Sequence, residues 1–393
     1  MKKLLSFFLA FFAFMQFSIF CFASDDGVQT PEPSTPTVGF DLDLDVGAAV
    51  LMEAKTGKVL YAINESQAMP PASVTKIMTL LLVMEAIENG KIKLSDMVTI
   101  SEYASSMGGS QVFLEAGEQF SVEDLVKCTV IASANDAAVA LAELVCGSES
   151  AFVQAMNERA KQLGMASTNF ENVTGLDDDT VNHVTSAMDI AIMSQKLISY
   201  PLILNYSSIW MDSIRDGAFT LTNTNRLVRF YAGATGLKTG STAKAKFCIS
   251  ATAERDGMSL ICVIMAAPSR DVRNKEASRL LDYGFANYTL YTDPENNANV
   301  IKVNKGTSNT AVLKKDAFYA VIEKGKKGSV KSELYLPDSL NAPLEKGSEV
   351  GTVTYTLDGE ILGVAPVTVE NDVPAITFYQ LFLKMLKSFL HFK

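Results

Sequence analysis

Histidine is scarce in this chain: two in 393 residues, His183 and His391, the second inside the last apolar stretch. A Ser-His-Asp triad would have to be built on His183, and no Gly-x-Ser-x-Gly elbow accompanies it. Its setting, Asn182-His183-Val184-Thr185-Ser186 ahead of a helical pattern, suits a capping or packing role. Cysteine is also sparse. Cys21 falls in the leader, and Cys128, Cys146, Cys248 and Cys262 show no metal-ligand spacing, so no metal or cofactor is expected. Export would permit disulfides, yet cysteine is among the most often buried residue types, and buried free thiols are expected. Positive charge is in deficit: 34 Lys and Arg, Lys2 and Lys3 of the leader among them, against 44 Asp and Glu. That balance disfavours nucleic acid as a partner.

Length and texture predict more than one domain. Lys2 and Lys3 precede an apolar run over 4–23 that closes on Cys21-Phe22-Ala23, with small residues at the cleavage positions. The run reads as a signal peptide over 1–23; an uncleaved anchor is the alternative, and both put the body outside the cytoplasm. Residues 24–39, acidic and rich in Pro, Ser and Thr, read as a disordered linker. The fold is expected to begin near Phe40. Segments 48–53 and 58–63 flank Ala54-Lys55-Thr56-Gly57, which predicts a hairpin. Helices are expected over 73–88, 122–131, 134–145, 150–163, 186–198 and 272–285, and strands over 247–253 and 259–265. The expected class is α+β, an antiparallel sheet with a large helical insertion over 40–290. Short alternating segments at 317–323, 331–335 and 352–356 predict a small β-rich domain over 295–372.

The final segment, 373–393, has the pattern of an amphipathic helix. Gln380, Lys384, Lys387 and His391 recur at intervals of four, three and four, which aligns them on one face, while Phe378, Leu381, Phe382, Leu386 and Phe389 occupy the rest. A wide apolar face with a narrow basic stripe lies in a membrane interface, lysines toward anionic headgroups. The expected partner of 376–393 is therefore a membrane surface.

Without a histidine base, another must be found, and three short signatures on separate chain segments supply one. They are Ser73-Val74-Thr75-Lys76, Ser133-Ala134-Asn135 and Lys238-Thr239-Gly240. Ser73 opens a helix and Lys76 stands one turn on, so the amine reaches Oγ. Burial among apolar side chains, a helix N-terminus and a second cation all disfavour a protonated lysine, and Lys238 can be that cation. Lys238 can equally attract an anionic substrate group. Ser133 and Asn135 lie at a loop-to-helix junction, where the hydroxyl can relay a proton and the amide can orient a peptide; an ordinary N-cap is the plainer alternative. Lys-Thr-Gly leads toward an edge strand at Phe247, and Gly240 lets the backbone approach a ligand. The N–H groups of Ser73 and Ser241 are candidates for an oxyanion hole.

The ordered set resembles the penicillin-recognising serine acyl-transferases, and more narrowly the low-molecular-weight penicillin-binding proteins that are serine-type D-alanyl-D-alanine carboxypeptidases. The runs Pro71 to Thr79, Ser133 to Ala138, Asn172-Val173-Thr174-Gly175-Leu176 and Gly236 to Gly240 carry the likeness, which extends over 40–288. The resemblance implies a β-lactamase/transpeptidase-like fold. It implies Ser73 as acyl-ester nucleophile, Lys76 as proton acceptor and Ser133 with Asn135 as the second active-site element. Lys238, Thr239, Gly240 and Ser241 would bind substrate, with Arg273 near its carboxylate; a solvated helix-start arginine is the alternative for Arg273. The substrate would be a peptidoglycan stem ending in D-Ala-D-Ala, with β-lactams as inhibitors. Lys246 departs from the family, which commonly has glycine there.

Three alternatives accompany this reading. A β-lactamase shares the signatures but needs a dedicated glutamate, and no Glu-x-x-Leu-Asn stands between Asn135 and Lys238. An endopeptidase acting on crosslinks would cleave a similar bond. A non-catalytic wall-binding or β-lactam-sensing protein would keep the cleft and have no need of all five reactive residues.

Overall fold

The computed structural model describes residues 42–178 and 180–390. The leader over 1–23, the linker over 24–39, the start at Phe40 and His391 of the terminal stripe lie outside the described residues. Strands β1 (Ala48–Glu53), β2 (Val59–Ile63), β3 (Ala234–Thr242), β4 (Lys246–Arg255) and β5 (Met258–Ala267) form a five-stranded sheet in the order β2-β1-β5-β4-β3. Every paired neighbour is antiparallel. The hairpin at Gly57 turns in the left-handed region at φ +71, where glycine carries no Cβ penalty.

Both faces of this sheet are covered, which explains strands that are apolar at consecutive positions. Ala48, Val50, Met52, Ile261, Val263 and Met265 point into the core of the helical insertion. The intervening residues Ala49, Leu51, Leu260, Cys262 and Ile264 point the other way. The insertion holds helices α1 (Lys76–Glu88), α2 (Val122–Ile131), α3 (Asn135–Cys146), α4 (Glu149–Gln162), α5 (Ala187–Ile198) and α6 (Pro201–Ser207). On the opposite face, α7 (Arg270–Asn287) contributes Ala277, Leu280 and Leu281. Serine caps set several helix starts: Ser121, Ser148, Ser186 and Ser269 each accept a backbone N–H three residues on.

Two differences from expectation bear on the site. The helix expected from Ser73 begins as a 3-10 turn over Ala72–Thr75 and becomes α-helical only at Lys76. Lys-Thr-Gly does not lead toward an edge strand at Phe247; it lies on the edge strand, β3, and Phe247 belongs to the inner neighbour β4. Register causes this: Thr239 pairs Ile249 and Ser241 pairs Phe247, a tertiary pairing that local composition does not encode.

The chain then enters β6 (Tyr288–Asp293), β7 (Asn296–Asn304), β8 (Thr310–Lys315), β9 (Phe318–Glu323), β10 (Lys331–Tyr335), β11 (Ser339–Asn341), β12 (Glu349–Leu357) and β13 (Glu360–Val369). A six-stranded sheet runs β10-β12-β13-β8-β7-β11, and β6 pairs with β9. The first strand of this β-rich part therefore starts at Tyr288, before the expected 295. Leu313, Tyr355 and Val367 centre its core, with the Phe318 and Tyr355 rings stacked at 3.9 Å. Last comes α8 (Phe378–Leu390), none of whose side chains is buried. Among the described residues no single helix is long and apolar enough to cross a membrane. The four cysteines of the described residues are free thiols.

Candidate active site

Ser73 stands at the mouth of a cleft of about 310 Å³, on the 3-10 turn, half-buried. The turn is held from behind. Ala72 takes φ +49, a conformation that costs a non-glycine residue about 1 kcal/mol. Its carbonyl accepts from Thr75 Oγ1 at 2.8 Å, and Thr75 Oγ1 also lies 2.8 Å from His183 Nε2. His183 Nδ1 accepts the Glu171 N–H at 2.9 Å, which leaves the proton on Nε2 to be donated to Thr75. Burial pushes His183 down to about 4, so the ring is neutral and this relay is structural. Gly175 completes the brace: at φ +84 a Cβ there would fall 1.9 Å from the Ala72 carbonyl oxygen. Sequence reasoning placed His183 as structural but did not find its partners.

Lys76 is fully buried, 0 % exposed, with three polar partners. Its Nζ lies 3.1 Å from Ser73 Oγ, 2.6 Å from Asn135 Oδ1 and 2.8 Å from the Thr174 carbonyl. Asn135 is fixed in this orientation because its Nδ2 donates to Gly108 O at 2.7 Å. None of the three is a carboxylate. Burial, then the positive charge of Lys238, hold Lys76 well below its ordinary value, with Asp136 acting in the opposite direction. A neutral amine has two N–H groups and one lone pair. The amide and carbonyl oxygens only accept, so they take the two N–H groups and leave the lone pair facing the Ser73 hydroxyl. The three oxygens could equally take the three N–H groups of an ammonium; what favours the uncharged amine, able to accept the serine proton, is burial beside the Lys238 charge with no carboxylate among its partners.

Ser133 occupies the break between α2 and α3 at φ +62. The N-cap of α3 is Ala134, without a side-chain cap, so the plain N-cap alternative does not hold for Ser133 or Asn135. Ser133 Oγ instead accepts from Lys238 Nζ at 2.8 Å, and Lys238 also donates to the Thr239 carbonyl at 2.9 Å. Lys238 is 1 % exposed and pushed down to about 7, by burial first and then by Arg273. Thr239 Oγ1 donates to Thr224 Oγ1 at 2.8 Å. Gly240 is pressed on the nucleophile's turn: a Cβ there would sit 2.7 Å from Pro71 O and 2.9 Å from Ser73 N. The outward edge of β3 beside Ser241 is a place where an extended peptide can pair. Arg273 is 3 % exposed, so the solvated-arginine alternative fails. It reaches Cys248 O at 3.4 Å and Asn274 Oδ1 at 3.0 and 3.1 Å, with no carboxylate among these contacts.

The fold thus brings all nine expected residues together: Ser73, Ser133, Thr239, Gly240, Ser241 and Arg273 line the cleft, with Lys76, Asn135 and Lys238 buried beneath. Sequence reasoning missed Asp136. Fully buried in the first turn of α3, its carboxylate accepts from Val112 N, Leu114 N and Ala137 N, fastening the loop that carries Gly108 and Ser110. A buried acid in an apolar helix start was the available signal. Lys246 has φ +55, which is why a glycine suits that place. Among the described residues no group of three His, Cys, Asp or Glu side chains could hold a metal.

A serine under an uncharged lysine, with cations where a carboxylate would dock, defines a serine hydrolase of the acyl-enzyme class. Residues 32–269 match the family model described as D-alanyl-D-alanine carboxypeptidase, and residues 285–375 match that for the penicillin-binding protein 5 C-terminal domain. The chain belongs to the D-alanyl-D-alanine carboxypeptidase family. It is 40 % identical to D-alanyl-D-alanine carboxypeptidase DacF of Bacillus subtilis, over 100 % of both chains. It is 33 % identical to DacC of Escherichia coli, covering 91 % of this chain and 89 % of that one. Penicillin-binding protein 5 of Haemophilus influenzae superposes with a TM-score of 0.75 at 35 % identity, covering 85 % of this chain and 99 % of that structure.

Proposed function

We propose that this protein is a serine-type D-alanyl-D-alanine carboxypeptidase that removes the terminal D-alanine from peptidoglycan stem peptides through a Ser73 acyl-enzyme. The observation that carries the reading is a fully buried Lys76 with its Nζ 3.1 Å from Ser73 Oγ and no carboxylate among its hydrogen-bond partners. Ser73 Oγ attacks the carbonyl carbon of the penultimate D-alanine and passes its proton to Lys76 Nζ. Backbone N–H groups of Ser73 and Ser241 hold the oxyanion. Lys238, Thr239 and Arg273 hold the terminal carboxylate, and Asn135 holds Lys76 in place against the Gly108 loop. As the C–N bond breaks, Ser133 delivers a proton to the departing amine, with Lys238 behind it; water then hydrolyses the ester. A β-lactam takes the same attack, but its leaving nitrogen stays tethered.

Purified protein incubated with a synthetic stem peptide ending in D-Ala-D-Ala should release D-alanine and form a stable penicillin adduct, and Ser73→Ala should do neither. Wild type that does neither overturns the reading.

The site of action is the outer face of the cytoplasmic membrane. Supporting this are the leader and α8, where Phe378 and Phe389 are 87 % and 83 % exposed beside Lys384 and Lys387. Flotation with anionic vesicles should carry the full chain and not a form lacking 376–393. Equal flotation of both contradicts it.

A further inference from the structure

A terminal D-alanine has one carboxylate, for which the cleft already holds Lys238, Thr239 and Arg273. The wall beyond them carries more positive charge. Arg226 and Arg270 line the same cleft, and no Asp or Glu lines it, in a chain with a large excess of acids. Both arginines are exposed, and neither stands in an ion pair among the described residues. Arg226 stacks over Phe230 at 5.7 Å. A second cleft, walled by Gly108 and Thr174, has the opposite character, with Glu149, Glu171 and Asp178 and no Lys or Arg.

The arginine wall lies on the leaving-group side. Thr224, which receives the Thr239 hydroxyl, is two residues from Arg226. Arg270 is one turn before Arg273 on α7, so both project from one face of the helix. Beside them Trp210 lines the wall, its buried indole N–H without an acceptor. A buried donor without a partner costs free energy that a ligand oxygen can recover.

We propose that Arg226 and Arg270 form a second anion subsite, which takes a carboxylate carried by the released residue in addition to its α-carboxylate. The substrates favoured by this subsite are stems whose leaving residue is a dicarboxylic amino acid, whether a free terminal residue or one belonging to a crosslinked neighbour. The inference rests on the carboxypeptidase reading, since it is that reaction which places the leaving residue against this wall.

The test uses the full chain and three stem peptides differing only at the terminus: D-Ala, D-Glu and the isosteric neutral D-Gln. Release of D-alanine tests the underlying reading by itself. For the subsite, kcat/KM for D-Glu should exceed that for D-Gln by about tenfold, as for a charge-assisted hydrogen bond. The ratio should shrink as salt rises. In Arg226→Gln/Arg270→Gln it should fall to near one, and because it compares two substrates on one protein, general damage cancels. If turnover is too slow, the same comparison is read as competition by the two peptides against fluorescent penicillin. A ratio near one in wild type, or one that survives the double substitution, overturns the proposal. A crosslinked dimer with an acidic acceptor residue, cleaved faster by wild type than by the double variant, would assign the subsite to crosslinks; equal rates would assign it to free acidic termini.

Discussion

The catalytic cleft and the β-rich domain each bury lysine, and they treat its charge in opposite ways. Lys76 and Lys238 contact neutral oxygens, from serine, asparagine and backbone carbonyls. In the β-rich part Lys315 is 5 % exposed, but its Nζ meets the Asp293 carboxylate at 2.6 Å and the Tyr355 hydroxyl at 3.2 Å. Burial works against the Asp293 anion, yet hydrogen bonds from Lys315 and Tyr355 hold its carboxyl below the usual range. The difference separates chemistry from structure. A buried lysine given a counter-charge fastens strands together, whereas one given only dipoles beside a second cation gives up its proton readily.

The largest effect should come from breaking the cleft's side of this contrast. Lys76→Arg places a permanent cation where a base is needed, and penicillin acylation of Ser73 should slow on the order of 10³-fold, read from adduct formation over time. Next is the pH profile. The reaction needs Lys76 neutral and Lys238 charged, so kcat/KM should rise with pH through the lowered pKa of Lys76 and fall above about 7 as Lys238 loses its proton. Lys238→Arg, which does not titrate in this range, should move the falling limb upward; an unmoved limb would assign it to another group.

On the structural side, Lys315→Met strands the Asp293 charge and should destabilise the β-rich part by about 2–3 kcal/mol in thermal unfolding, less than for a wholly buried pair because Asp293 is partly exposed. Penicillin adduct formation should keep its rate. The smallest effect is acid sensitivity of the same domain. Because the folded-state pKa of Asp293 is lowered, its contribution is present above the unfolded value and is lost as pH falls through the folded one. Asp293→Asn should flatten that dependence.

Much of the cleft was readable in the sequence because its logic is local. Ser73 and Lys76 share a turn, the apolar run after Lys76 announces its burial, and a body with one histidine directs attention to lysine. What escaped depends on contacts far apart in the chain. Asp136 matters through Val112 and Leu114, His183 through Thr75, and Gly175 through the Ala72 carbonyl, none of which a periodicity reveals. The edge position of Lys-Thr-Gly is likewise not encoded locally, because register is fixed by pairing with β4. The arginine wall was hidden for a similar reason: α6 and the short hairpin of Met211–Ile214 and Phe219–Thr222 are too brief to signal themselves, so Trp210 and Arg226 had no element to sit on. Lys246 stands where the family commonly has glycine, and its φ of +55 is the conformation that glycine adopts without a Cβ penalty. Lys246→Gly should stabilise the protein by up to about 1 kcal/mol.

The central claim is that Lys76 is uncharged when Ser73 reacts. With lysines labelled at the ε-carbon, the Lys76 resonance, identified by its loss in Lys76→Arg, should titrate well below the ordinary lysine value and show the neutral amine at the pH of acylation. A Lys76 resonance that stays in its protonated form throughout the pH range of acylation would contradict the account.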